Sequence, residues 1–303
     1  MGRIHTLPTG QRIHIGGRVA PATPHRLKLH DPRYALNLAS WPATPSSTSY
    51  GSAPAAQACL GDILGNDKLG DCTEADQYHR QALRQAAAGA SVFHPPLDVV
   101  VWTYSRDGGY VAGDPSTDQG CDETVVLTNA RNLGIKSGSG VYQSSGFVAI
   151  DGSNRDLVRA AVSMFVGAPI CAALDQRWID AAAPGATWAV PPGGYVAVPS
   201  NGHCFTLADQ TEHDLGIWSW AMPLRLTYDA LAAATSAANG GALYIEVDAD
   251  ILAAASQSAP DALDWAALQA DFALLSTPVV TPPSTVPPIG PGGGGGPLGP
   301  AAG

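Results

Sequence analysis

Basic charge is scarce over much of this chain. From Trp178 onward Arg225 is the single Lys or Arg, and over all 303 residues 16 basic side chains face 26 acidic ones. A net charge of −10 leaves too little basic surface to displace counterions from nucleic acid, so no nucleic-acid partner is expected. No apolar run approaches the roughly 20 residues of a membrane helix. The opening MGRIHTLPTGQRIHIGG has no apolar segment of the signal-peptide kind, so neither a membrane nor an export signal is expected. Cys59, Cys72, Cys121, Cys171 and Cys204 are odd in number and form no C-x-x-C pair. The expectation is reduced thiols in a cytoplasmic setting, with neither a disulfide framework nor a zinc site. The C-terminal glycine run is not followed by Gly-Lys-Ser/Thr, and DGSNRD is a fragment of a calcium loop. No cofactor or metal is expected.

What is present divides into three. Residues 1–40 hold Arg3, Arg12, Arg18, Arg26 and Lys28 with no acid in the first thirty, and read as a basic extended arm. Such an arm docks on its own acidic body, docks on an acidic partner, or stays solvated. Residues 277–303 are uncharged and mostly Pro and Gly, the composition of a disordered tail or tether. Between them, 41–276 reads as one compact unit.

Thr73–Ala88 is rich in Ala, Gln, Arg and Leu and is expected as a helix stopped by Gly89. Glu123–Leu133 reads as a second, halted at Gly134, and Ser153 as the cap of a third ended by Gly167. Then PICAALD, YVAVP, HCFTLAD, GIWSWAM and ALYIEVD read as strands, with a short helix near Thr227–Ala234. Helices crowd the first half and strands the second, an α+β arrangement.

The chemistry centres on GNDKLGDCTEAD, where Cys72 stands between a glycine-containing loop and the predicted helix. Unpaired N–H groups and the dipole at a helix N-terminus stabilise a thiolate. A nucleophile needs a base, and His203 lies roughly 130 residues downstream at the start of a predicted strand. The alternative is a buried thiol and a core histidine. Cys204 should point away from His203 on an alternating strand and pack in the core. Cys59, Cys121 and Cys171 read as structural.

These residues carry a resemblance to the papain-like cysteine peptidase superfamily. NDKLGDCT resembles its NQGSCGSCW loop, DQGCDETVVLTNARNLGI its GCxGG segment, GHCFTLAD its HAVAAVGY strand and WSWA its NSWG. The resemblance implies a helical N-terminal lobe packed on a C-terminal antiparallel sheet or barrel lobe. It implies a Cys72–His203 dyad acting on peptide or amide bonds, with Asn66 as oxyanion donor. Gly70, Asp71, Gly120, Cys121 and Trp220 would line the cleft, and a peptide or protein would be the substrate. DPRYALNLASW with GNDKLGDCTEAD also resembles a group of phage and bacterial proteins. That implies a virion-associated location and phage structural proteins as partners.

The pattern departs in places. Trp218 stands where the family's orienting Asn would be, and its N–H cannot accept a proton from imidazole, so Ser219 or a backbone carbonyl would have to orient His203. Thr73 replaces the Trp after the nucleophile, and Leu69 a disulfide cysteine. Three readings follow: an active hydrolase, a virion or prophage component keeping the fold without catalysis, and a pseudo-peptidase that binds peptides. Asp71 either caps the helix or meets solvent, and would raise the Cys72 pKa if close. The acids of GDPSTDQGCDE could select basic substrates, bind a cation, or form a solvated loop.

Overall fold

The computed structural model describes residues 2–21, 25 and 27–274; the Pro- and Gly-rich tail expected at 277–303 lies outside them. A hairpin of β1 (Arg3–Thr6) and β2 (Arg12–Ile15) opens the chain, followed by β3 (Arg18–Val19) and β4 (Ser47–Ser49). Next come α1 (Pro54–Leu60), α2 (Cys72–Ala87), α3 (Leu97–Gly108), β5 (Cys121–Asp122) and α4 (Glu123–Asn132). After a small hairpin of β6 (Ile135–Ser137) and β7 (Gly140–Tyr142) lie β8 (Gly146–Ala149), α5 (Arg155–Phe165) and β9 (Ala168–Ala173). Then follow α6 (Gln176–Asp180), β10 (Thr187–Trp188), β11 (Gly202–Thr211), β12 (Asp214–Ser219) and β13 (Met222–Thr227). The described chain ends with α7 (Tyr228–Ala234), β14 (Ala242–Val247), α8 (Ala249–Ser258) and α9 (Trp265–Leu274).

Eight strands form the main sheet, in the order β10-β13-β12-β11-β9-β14-β8 with β4 also paired to β11. Every pairing in it is antiparallel except β10 with β13. The fold is therefore α+β as the sequence implies, a helical lobe on an antiparallel sheet lobe. The two lobes meet where α2 packs on β11. Helix α2 is buried from Cys72 to Arg84 although eight of those thirteen residues are polar or charged. Much of its polar surface is hydrogen-bonded, as burial requires, although Glu74 Oε1, Arg84 Nε and both polar atoms of the Gln81 amide have no partner. Arg80 Nε donates to Asp76 Oδ2 at 2.9 Å, Gln77 Nε2 to Glu246 Oε1 at 3.0 Å and Arg84 Nη1 to Glu246 Oε2 at 2.8 Å. From the sheet, Thr206 Oγ1 donates to Asp76 Oδ1 at 2.6 Å. The Thr206 bond fixes the helix that begins at Cys72 to β11, the strand of His203, and the Glu246 bonds fix it to β14.

Four details differ from the sequence expectation. The first forty residues carry a hairpin, and Ile13, Ile15, Leu29 and Tyr34 are wholly buried in the main core, so the segment read as an extended arm docks on its own body. YVAVP is irregular because the Val196 N–H donates to Asp175 Oδ2 at 2.8 Å instead of entering a ladder. Asn154, not Ser153, caps α5, since the Ser153 hydroxyl donates to Asp151 at 2.7 Å. GIWSWAM is broken into two strands by a tight turn in which Trp220 and Ala221 have φ of 50° and 63°.

Candidate active site

Cys72 is the first residue of α2, with Asp71 at the cap position, so the helix starts where the sequence places the thiol. The sulfur is buried, and burial pushes the thiol well above its usual pKa. The Cys204 backbone N–H, aimed at the sulfur, works against that shift, while the charges of Glu74, Asp71 and Asp76 add to it.

His203 is the second residue of β11 and equally buried. Its Nε2 lies 2.8 Å from Ser219 Oγ, on the neighbouring strand β12. Its Nδ1 is buried with no hydrogen-bond partner. The Trp220 ring stacks on the imidazole with centroids 4.3 Å apart. That contact helps hold Trp220 in the left-handed backbone region, an unusual conformation for a bulky residue. Burial, with His14 nearby, pushes the imidazole down to about 3, so it is neutral across the physiological range. The imidazole contact thus comes from Ser219, one residue beyond Trp218. A hydroxyl can donate or accept, so it holds the ring without enforcing one tautomer as an amide oxygen would.

A cavity of about 10 Å³ is lined by Cys72, His203, Asn66, Trp218, Ser219 and Trp220, with room for the centre of about one water molecule. Two distant stretches of sequence therefore converge. No hydrogen bond joins the thiol to the imidazole. The Asn66 amide, expected as an oxyanion donor, is turned onto its own loop, donating to Leu69 O at 3.0 Å and Asp71 Oδ1 at 3.4 Å.

Asp71 does not cap the helix through its side chain and does not meet solvent. It is fully buried with Oδ2 unpartnered, and burial together with Glu74 pushes its carboxyl well up. Glu74, absent from the sequence reading, is also fully buried; burial and Asp107 raise it to about 8, and Thr73 Oγ1 donates to it at 2.7 Å. A Glu on the first turn of a predicted helix reads as a solvent-facing dipole partner, so no sequence signal marked it.

Gly70, Gly120, Cys121 and Trp220, expected to line a cleft, all meet the chain's own N-terminal segment. Gln11 Nε2 donates to Trp220 O at 2.7 Å, and the His14 N–H to Asn66 O at 2.7 Å. The Gly16 N–H donates to Gly202 O at 3.0 Å, beside His203, and the Cys121 N–H to Gly17 O at 2.9 Å. β3 pairs in parallel with β5, Arg18 opposite Cys121. Backbones run so close that a Cβ on Gly17 would lie 2.6 Å from Gly70 O, and one on Gly120 2.3 Å from Gly17 O. Segment 11–19 therefore packs along Asn66, Gly70, Gly120, Cys121, Gly202 and Trp220, next to residues that line the Cys72 cavity. Arg18 sends its guanidinium to Glu123, with Nε to Oε2 at 3.0 Å and Nη2 to Oε1 at 2.7 Å.

The reading of five reduced thiols is corrected at one pair. Cys171 and Cys204 are directly opposite on β9 and β11, with Cα atoms 4.2 Å apart, and are joined as a disulfide. Only the register of two strands far apart in sequence brings them together, and no spacing rule contains that register. Cys59, Cys72 and Cys121 are free and buried. Cys72 packs with Cys171 and Cys204 in a small buried cluster. Glu123, Cys171 and Cys204 bring ligand atoms within 4.8 Å of one another, but the sulfurs are bonded to each other and the carboxylate to Arg18. Those donors are already engaged.

No family model and no curated protein sequence match the chain. Solved structures do. The fold is that of papain-like cysteine proteases. It is similar to xylellain, a cysteine protease from Xylella fastidiosa, with a TM-score of 0.57 and 10% identity over 77% of this chain and 96% of that one. It is also similar to digestive procathepsin L2 proteinase from Tenebrio molitor larval midgut, with a TM-score of 0.52 and 11% identity over 77% of this chain and 78% of that one. Among the described residues no helix is long and apolar enough to cross a membrane.

Proposed function

We propose that the chain is a cysteine hydrolase of peptide or amide bonds, held closed by its own residues 11–19. Cys72 attacks the acyl carbon, His203 Nδ1 takes the thiol proton and returns it to the leaving amine, and water then releases the acyl group. The observation carrying this reading is His203: Nε2 is held by Ser219 while Nδ1, on a ring lining the Cys72 cavity, is unpartnered. With Nε2–H donating to Ser219, Nδ1 presents a lone pair, the form a general base requires. Asn66 joins as oxyanion donor once its amide is released from Leu69. Displacing segment 11–19 readmits solvent, relaxing the burial that now keeps thiol and imidazole neutral. The test is hydrolysis of a peptide-amide library by wild type, Gly17→Val and Cys72→Ala. Turnover that Gly17→Val raises and Cys72→Ala abolishes supports the reading. Equal turnover with and without Cys72 ends it.

A second reading is a peptide-binding platform on the same fold without catalysis, as in a virion component. It is favoured by the missing thiol–imidazole hydrogen bond and the depressed His203. Peptide binding unchanged by Cys72→Ala, with no turnover in any variant, would select it. Recovery of the chain in purified phage particles would place it among virion proteins.

A further inference from the structure

We propose that Glu123 sets the specificity of the groove, and that the side chain it accepts from a substrate is basic, arginine in preference to lysine. This deepens the hydrolase reading and rests on it for the chemistry that follows binding.

Segment 16–18 is held like an added strand by main-chain hydrogen bonds, at an approach so close that only glycine fits at 16 and 17. Gly16 and Gly17 contribute no side chains. Arg18 is the first residue that does, and its side chain and that of Glu123 are each 3% exposed. Two parallel N–H···O bonds join them, a geometry that matches guanidinium to carboxylate and that a lysine ammonium cannot copy. Glu123 lies beside Tyr244 and within 4.8 Å of the Cys171 and Cys204 sulfurs, in surroundings that solvate an anion poorly. A buried carboxylate that loses its partner is strongly unfavourable. When segment 11–19 leaves, the guest that restores the lost pair is another guanidinium. An apolar guest would leave Glu123 buried and uncompensated. A groove of about 590 Å³ lined by Arg18, Ala20, Tyr195 and Gly202 continues past this point, so a longer peptide has room beyond the anchoring residue.

The experiment uses the full chain with Cys72→Ala, so that binding is read without turnover, and with Gly17→Val and Arg18→Ala to free the groove. Acetylated and amidated Gly-Gly-Arg-Val-Ala is titrated against versions carrying Lys, citrulline or Leu at the third position. The Arg peptide is expected to bind at least tenfold more tightly than the citrulline or Leu peptides, with Lys between. Adding Glu123→Gln is expected to abolish the difference. Arg18→Ala alone provides a second measurement that leaves the segment in place. N-propylguanidinium should raise its melting temperature more than N-propylammonium does, and should have no such effect on wild type. Equal binding of all four peptides with no guanidinium rescue, or an Arg preference that survives Glu123→Gln, would overturn the inference. Basic preference without hydrolysis in any Cys72-containing variant would remove only the hydrolase reading. Hydrolysis without basic preference would remove only this one.

Discussion

His203 and Ser219 share a 2.8 Å contact that leaves the other imidazole nitrogen unpartnered in the core. The imidazole is thus held by a hydroxyl from the adjacent strand, under the cover of Trp220. A neutral hydrogen bond of this kind contributes about 1 kcal/mol. Ser219→Ala is therefore expected to lower kcat about fivefold to tenfold in an arm-displaced variant with KM little changed, measured by steady-state hydrolysis. Ser219→Asp should instead raise the His203 pKa, visible as a shift of the acid limb of the pH–rate profile toward higher pH.

The depressed imidazole also predicts a stability profile. Its folded pKa of about 3 lies below the usual 6.5 of an unfolded histidine. Between those values the unfolded chain binds more protons, so this contribution is complete above about pH 6.5 and is lost as pH falls toward 3. The slope is at most about 1.4 kcal/mol per pH unit. Urea unfolding at pH 4, 5, 6 and 7 should show it, and His203→Gln should flatten it.

Glu246 behaves in the opposite sense to most buried acids. Burial pushes its carboxyl up, but Arg80 and Arg84 more than reverse this and hold it at about 2. The stability it contributes is present above the unfolded carboxyl value near 4.3 and disappears as pH falls through 2. Glu246→Gln leaves the buried Arg84 guanidinium without its carboxylate and Arg80 with Asp76 alone, and is expected to cost about 3–5 kcal/mol at pH 7, measured by denaturant titration.

The disulfide gives a chemical count. Three thiols should titrate in the unfolded, unreduced protein, namely Cys59, Cys72 and Cys121, and five after reduction. The 33-residue separation of Cys171 and Cys204 predicts that Cys171→Ala with Cys204→Ala lowers stability by about 4 kcal/mol.

The helix at Cys72, the strand at His203 and the α+β order were legible because each is written in local composition, with good helix formers after the thiol and β-branched or aromatic runs late in the chain. The part not legible depends on register and docking. Nothing in RIHIGGR announces that Ile13 and Ile15 complete the core or that Gly16 and Gly17 fit the groove, since four-residue strands carry little periodicity. Nothing local marks Gln77, Arg80 and Arg84 as buried, because their partner, Glu246, lies far along the chain. The paired cysteines were hidden for the same reason.

The central claim is that Cys72 becomes an imidazole-assisted nucleophile when segment 11–19 leaves the groove. Its most direct test is the rate of iodoacetamide labelling at Cys72, mapped by mass spectrometry against Cys59 and Cys121 in the same molecules. Wild type should label slowly at all three. Gly17→Val, whose new Cβ meets Gly70 O at 2.6 Å, should speed Cys72 alone by tenfold or more, and adding His203→Ala should remove the gain. Cys72 remaining as inert as Cys59 and Cys121 in Gly17→Val, or reacting equally fast without His203, would contradict the account.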